Sequence, residues 1–502
     1  MSVGVSPMLS VSRWQRADWA HNILRSLSLV GILVALSILT RRGEYQMFPI
    51  ALIGLVLGPA IIIVLFRGPE CRYLLTLFFV GFAVRMLAAV IAHPYLVTVT
   101  TDKSGNKTSW VGFLFEDDRA YHKVAYSLLE YWGGTAGGIE KSEEYLLRLY
   151  TYIVAWLYTY VRYVTPVDLL TMSKPQAGAI AVMAPKLMNC FVGAIAVAPF
   201  YALGREMGGD RAGRLVALAG AFWPSLLLWS VLNLKDIMVV VLIATIMFLA
   251  IRFARQPGLV VLAGLLAAFA ATENMRLYVF YAFGWLVPIS FFLINRAAWK
   301  KRLAIGVGLW AAILLVMLSM NQGTQWLGLR YLTDKRVEAL YGSAEFGAGQ
   351  SESSIELGGR LNRYEGGWAI QMRNIPIVMP YVLWSPFLWA GTRLRDLAVL
   401  PETVAWYAVQ VLSVVTLVVF GRSRWRDFFL PIVYIGGLVF VFSIIESNVG
   451  TIYRHRAMLL PAAFPLAAMG ALWAWSWWQR RTAAPESAAM SSAPVVASGS
   501  LS

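Results

Sequence analysis

Cysteine is nearly missing from this chain: Cys71 and Cys190 are the only two in 502 residues. One falls in a short loop and the other inside a hydrophobic run, which supports neither a disulfide framework nor a metal site. Histidine is as scarce, with four, and forms no His-rich metal motif. A phosphate-cradling glycine loop and a Ser-His-Asp arrangement are also missing. Charged residues make up only 14%, and their signs are unequal, with 43 Lys and Arg against 27 Asp and Glu. No polar basic domain exists to use the net charge of +16, so nucleic-acid binding is excluded. A soluble enzyme is excluded with it.

What the chain does have is long apolar runs. Hydrophobic residues reach 59% and mean hydropathy is +0.63. Roughly 20 apolar residues cross a bilayer as a helix. Such runs recur at about 24–40, 48–66, 72–92, 184–204, 213–231, 236–253, 257–272, 278–294, 303–319, 401–420, 428–445 and 457–477. They are too long for barrel strands, and backbone polar groups in lipid must be satisfied within the segment. The expected fold is therefore an all-α polytopic membrane protein of about 12–13 transmembrane helices. The first span has a polar leader without a small-residue cleavage site, which predicts a retained anchor. The Ala/Ser/Pro-rich tail from about 483 is expected to be a disordered cytoplasmic segment.

Orientation follows from the basic loops. Trp299-Lys300-Lys301-Arg302, the 421–427 loop and Gln479-Arg480-Arg481 are strongly basic, so the positive-inside rule assigns them to the cytoplasm. Parity then puts 93–183 and 320–400 outside as two large segments, together with Lys235-Asp236, 273–276 and 446–456. Arg205 to Arg214 falls inside, and Arg41-Arg42 falls outside, against the rule. The aromatic stretch 146–163 must be interfacial or re-entrant. Residues 118–132 show helical spacing of Tyr121, Val124, Ala125, Leu128 and Leu129, which predicts a helix on the membrane surface. Residues 341–367 read as a Gly/Ser/Glu-rich loop, and Met379 to Trp389 as juxtamembrane.

Several polar groups stand out against this background. Glu116, Asp117 and Asp118 are three consecutive acids in the first long loop. They can act as a general base, hold a divalent cation, or simply complement the dipole at a helix start. Lys235-Asp236 is either a cap with a snorkelling lysine or a charged pair facing a polar cavity. Arg276 is either an interface anchor or a planar fork for a phosphate. Arg454-His455-Arg456 breaks the positive-inside rule on this parity, as an external anion site would. On the opposite parity the same arginines are ordinary anchors. His122 is notable by position, and Arg85 lies deep inside a span.

These residues together resemble the GT-C superfamily of integral membrane glycosyltransferases. The nearest likeness is to users of polyprenyl-phosphate sugars, such as protein O-mannosyltransferases and the lipid A aminoarabinose transferase. The likeness is carried by Asp117-Asp118-Arg119-Ala120-Tyr121, the following Ala125-x-x-Leu128-Leu129, and Tyr201-Ala-Leu-Gly-Arg205-Glu-Met-Gly-Gly-Asp-Arg-Ala-Gly213. Phe222-Trp-Pro224, Lys235-Asp236 and Gly450-Thr451-x-x-Arg454-His455-Arg456 complete it. It covers about 110–295 best. Two more spans than in the family pattern precede the acidic loop, and Glu116 adds a third acid.

The resemblance implies inverting transfer of a sugar from a polyprenyl-phosphate carrier to a glycan, lipid or protein acceptor on the external face of a bacterial inner membrane. Asp117 would be the general base and Asp118 its assistant. Lys235, Asp236, Arg276, Arg454 and Arg456 would line the donor phosphate and substrate site, with Glu116, Tyr121 and His122 beside them. No cofactor is fixed by the likeness, and a divalent cation stays open. Two rival functions remain. One is an O-antigen or exopolysaccharide polymerase or ligase, which would need the arginines but not the acids. The other is a lipid-linked-sugar flippase or transporter, which should show internal repeats.

Overall fold

The long apolar runs fold as helices that satisfy their own backbone, as hydrocarbon demands. In the computed structural model, residues 8–101, 105–136, 138–139, 146–166, 168–319, 367–389, 394–446 and 449–491 are described. The first three helices are α1 (Met8–Arg41), α2 (Phe48–Leu65) and α3 (Gly68–Ala92). A hairpin of β1 (Val97–Thr101) and β2 (Lys107–Val111) follows, then α4 (Glu116–Trp132) and α5 (Leu149–Val164). Next come α6 (Lys174–Ala181), α7 (Met183–Ile195), α8 (Val197–Phe222) and α9 (Pro224–Ser230). After these lie α10 (Asp236–Arg255), α11 (Leu259–Glu273), α12 (Leu277–Ile294) and α13 (Trp299–Ser319). The chain closes with α14 (Gly367–Trp384), α15 (Leu394–Ile445), α16 (Val449–Arg456) and α17 (Leu460–Ser491).

Among the described residues, nine helical stretches are long and apolar enough to cross a membrane. Two of them, Lys174–Phe222 and Val399–Ile445, run 49 and 47 residues, about twice what one crossing needs. Each turns back on itself. In α8 the break is Gly209, at φ 81°, a left-handed conformation that a side chain would strain. A Cβ on Gly204 would lie 2.8 Å from Val216, and one on Gly220 would lie 2.8 Å from Phe200. A straight helix holds residues twelve apart at about 18 Å, so α8 is a tight antiparallel hairpin. In α15 the break is Arg424. Before it, Ser413 and Thr416 donate to the Ala463 and Leu466 carbonyls, both 50 residues on, so this arm runs parallel to α17. Beyond it, Tyr434 stacks on Phe283 and Phe442 meets Tyr278, so that arm runs antiparallel to α12.

Ion pairs and hydrogen bonds sort the loops onto two faces. On one, Arg255 bridges Glu206 at 3.1 Å and Asp427 at 2.7 Å, and Arg424 reaches the Met207 carbonyl at 2.6 Å. Arg214 pairs there with Glu70. On the other, Arg42 donates to the Val90 carbonyl, and His93 lies 3.1 Å from the Ala179 carbonyl. Arg276 and Arg454 meet Asp236 there. Because its two ends reach opposite faces, the 15-residue α11 also crosses. The described helices therefore supply twelve candidate crossings, in line with hydropathy, and the described part of 93–183 lies on the second face.

α5 stays at that face. Tyr160 donates to the Gln46 carbonyl and Tyr150 to Asn233, which settles 146–163 as a helix of the surface layer. The amphipathic α4 buries its expected Tyr121, Val124, Ala125, Leu128 and Leu129. Two features differ from expectation. The β-hairpin is not among the expected elements, although its first arm, Val97–Thr101, is a run of five β-branched residues. The tail continues as helix to Ser491, because Ala-rich sequence extends a helix once one is nucleated. The 341–367 loop falls, but for Gly367, outside the described residues.

Candidate functional site

Four polar segments that are far apart in sequence converge on the second face: the first turn of α4, the turn before α10, the turn before α12, and α16. Asp236, the first residue of α10, has a side chain only 1% exposed. Its Oδ1 accepts from Arg276 at 2.9 Å. Its Oδ2 accepts from Arg454 twice, through Nε at 2.9 Å and Nη2 at 2.5 Å. The remaining Arg454 nitrogen, Nη1, donates to Asp117 Oδ2 at 2.5 Å. One guanidinium thus joins the acid of α4 to the acid of α10, a fork arrangement that lysine cannot copy.

Asp117 differs from Asp236 in access. Its side chain is 59% exposed, although protein surrounds it closely. Burial acts to raise its pKa, but Arg454, by charge and hydrogen bond, outweighs that effect and Arg276 adds to it. The Asp117 carboxyl therefore sits below the usual carboxylate range and is ionised at neutral pH. Lys235 completes the group. It is 9% exposed, and its Nζ lies 5.5 Å from the centre of the Tyr121 ring. Among the described residues no carboxylate is bound to it, since both oxygens of Asp236 are taken by arginines.

A hydrogen-bonded chain fixes this geometry from behind. Asn189 Nδ2 donates to the Tyr150 hydroxyl at 3.1 Å, and that hydroxyl donates to Asn233 Oδ1 at 2.9 Å. Asn233 Nδ2 then donates to the Asp118 carbonyl at 3.0 Å. Asn189, Tyr150, Asn233 and Asp118 are all fully buried. Asn189 also donates to the Leu232 and Leu234 carbonyls. The start of α4 and the turn carrying Lys235-Asp236 are thereby tied to α7 as one unit.

The other expected residues take different places. Asp118 points inward, where Oδ2 accepts from the Leu114 amide at 3.1 Å and Oδ1 has no partner. Burial pushes its pKa up to about 6, against Lys186 and its hydrogen bonds. Glu116 pairs with Arg119 one turn on, as a solvated helix start does. Tyr121 supplies the ring under Lys235. His122 is fully buried, bound to the Tyr158 hydroxyl and the Lys174 carbonyl at 2.8 Å each. It lies five residues from Asp117, about 140° round the helix, and takes no part in the cluster. Burial lowers its pKa to about 4.

Arg456 also leaves the expected set. Two residues beyond Arg454, it points about 160° away around α16 and donates to the Ser385 carbonyl. The Tyr453 and Trp406 rings flank it at 4.9 and 5.5 Å. Beside it lies a buried acid that sequence reading missed, Glu402, which accepts from Trp223 and Tyr453. The place between Asp117 and Asp236 is filled by the Arg454 guanidinium, so this donor set does not fit a divalent cation. Among the described residues no group of three or more His, Cys, Asp or Glu side chains forms a metal-binding cluster.

This geometry offers an accessible carboxylate, two arginines and a lysine with no ion-pair partner among the described residues, all on one face of a membrane bundle. It suits holding an anion beside a group that can accept a proton. No protein-family model matches the sequence, and no curated protein is significantly similar to it. The fold and the site define a multi-pass membrane protein with a buried, charged cluster on one face of its helical bundle.

Proposed function

We propose that this chain is a membrane glycosyltransferase that moves a sugar from a polyprenyl-phosphate carrier to a glycan, lipid or protein acceptor. One observation carries the reading: Asp117 is held accessible beside Arg454, with Arg276 and Lys235 alongside. The basic loops gather on the opposite face, so the positive-inside rule puts this cluster outside the cytoplasm. That orientation suits a bacterial inner membrane and an acceptor in cell-envelope synthesis.

The chemistry follows from the groups present. An acceptor hydroxyl attacks the anomeric carbon, the bond from that carbon to the phosphate oxygen breaks, and its electron pair leaves with the lipid phosphate. Asp117 takes the acceptor proton. Arg276, Lys235 and Arg454 hold the phosphate, where negative charge grows as the bond breaks. Fixed cations stabilise that charge without reorganising. Asp236 orients both arginines, and Asp118 anchors the first turn of α4. Holding donor and acceptor in register supplies much of the rate.

The test uses purified full chain with a polyprenyl-phosphate sugar, following release of the lipid phosphate. Arg454→Lys should lower turnover about a hundredfold, because a point charge cannot bridge Asp117 and Asp236. A polymerase or ligase needing only the arginines would keep turnover in Asp117→Asn, and that outcome overturns the proposal.

A further inference from the structure

Lys235 is built differently from the arginines around it. Asp117 and Tyr121 face it from α4, Asp236 from α10, Arg276 from the turn before α12, and Arg454 from α16. Both carboxylates are already engaged, Asp236 by three guanidinium nitrogens and Asp117 by a fourth. The lysine amine is nine-tenths buried, its one close partner is an aromatic face, and two cations stand nearby. The two nearby acids are matched by the two arginines, so an ammonium in that position has no carboxylate to itself, whereas a neutral amine needs none.

We propose that Lys235 is an uncharged amine in the empty site and takes up one proton when an anion binds. Anion binding at this cluster is then proton-coupled. The inference rests on the anion-binding half of the proposed function. Burial, with Arg276 adding to it, holds the Lys235 pKa well below the ordinary lysine value. A phosphate oxygen placed against the amine supplies the missing negative charge, and the proton then comes from solvent. In the transfer reaction the coupling has a use. Cleavage turns a phosphodiester with one negative charge into a monoester that can carry two, and a proton on Lys235 offsets the added charge in the state that develops it.

The test is calorimetric titration of the full chain in detergent with methyl farnesyl phosphate, a phosphodiester that does not itself titrate near neutrality. Binding heats at neutral pH are compared across buffers of different ionisation enthalpy. The expected result is uptake of about one proton per anion bound. Lys235→Arg cannot lose its proton, so the binding it retains should take up none. Lys235→Gln should bind about tenfold or more weakly, also without uptake. Binding without uptake in the parent overturns the inference and leaves the proposed function standing. Uptake that persists in Lys235→Arg also overturns it, because another group then carries the proton. No binding at all overturns both the inference and the donor-phosphate site.

Discussion

Replacing Asp236 by asparagine keeps the shape of the side chain and removes the charge at the centre of the cluster. The parent carboxylate is 1% exposed and accepts three hydrogen bonds from two arginines. An amide has one oxygen fewer and offers an N–H where a guanidinium N–H already points. Arg276 then loses its acid, and Arg454 keeps only Asp117. Breaking a buried ion pair from one side costs about 3–5 kcal/mol, a large fraction of the 5–15 kcal/mol that typically holds a domain folded. The assay is equilibrium unfolding of detergent-purified protein by increasing fractions of SDS. An internal control is Arg214→Gln, whose pair with Glu70 is 3.3 Å long with the arginine 46% exposed. That pair should contribute less than about 1 kcal/mol. A loss below about 1 kcal/mol for Asp236→Asn, equal to the control, would refute the claim that the network is buried and fully engaged.

Three other outcomes follow from the same physics. The Asp118 carboxyl titrates at about 6 in the fold against an ordinary 3.8, so the folded state binds the extra proton between those values. Stability from this group is therefore full below about pH 4 and falls by up to about 3 kcal/mol as pH rises through 6. Asp118→Asn should remove that slope in melting curves taken across this range, and an unchanged slope would count against it. Asn233→Leu removes the hydrogen bond to the Asp118 carbonyl and leaves the Tyr150 hydroxyl hydrogen without its acceptor in the interior. It should destabilise by about 1–3 kcal/mol and lower kcat more than it raises KM, because Asp117 loses its register. Gly470→Ala would push a Cβ onto the Leu412 carbonyl oxygen and to 3.0 Å from Thr416. Thermal stability should fall by about 1–3 kcal/mol, and a neutral result would mean that α15 and α17 are not so closely packed.

Much of the architecture was legible because the bilayer imposes a length and an apolar composition on every crossing. Hydropathy placed the spans, and the basic loops gave a parity that the Arg255, Arg424 and Arg42 contacts reproduce. That parity brought Asp117, Lys235, Asp236, Arg276 and Arg454 to one face before any distance was known. What sequence could not supply was direction around a helix axis. His122 and Arg456 were attractive because they sit beside the right residues, yet one or two steps along a helix turn a side chain away from its neighbour's partner. Asn189, Tyr150 and Asn233 escaped notice for another reason: a lone amide or hydroxyl in an apolar run has no sequence mark of its target. Asn233 came nearest to being readable, as it shares its turn with Lys235-Asp236. Glu402 was hidden because it stands in the first turn of a long apolar span.

The most direct test of the account is transfer of a radiolabelled sugar from a polyprenyl-phosphate carrier in membranes containing the full chain or its Asp117→Asn variant. Asp117 is the accessible carboxylate of the cluster, and the amide keeps its size while losing the ability to accept the acceptor proton. The account predicts normal amounts of the variant in the membrane, retained binding of the prenyl phosphodiester, and transfer reduced by about a thousandfold. Transfer within a few-fold of the parent would contradict the assignment of Asp117 and, with it, the central claim.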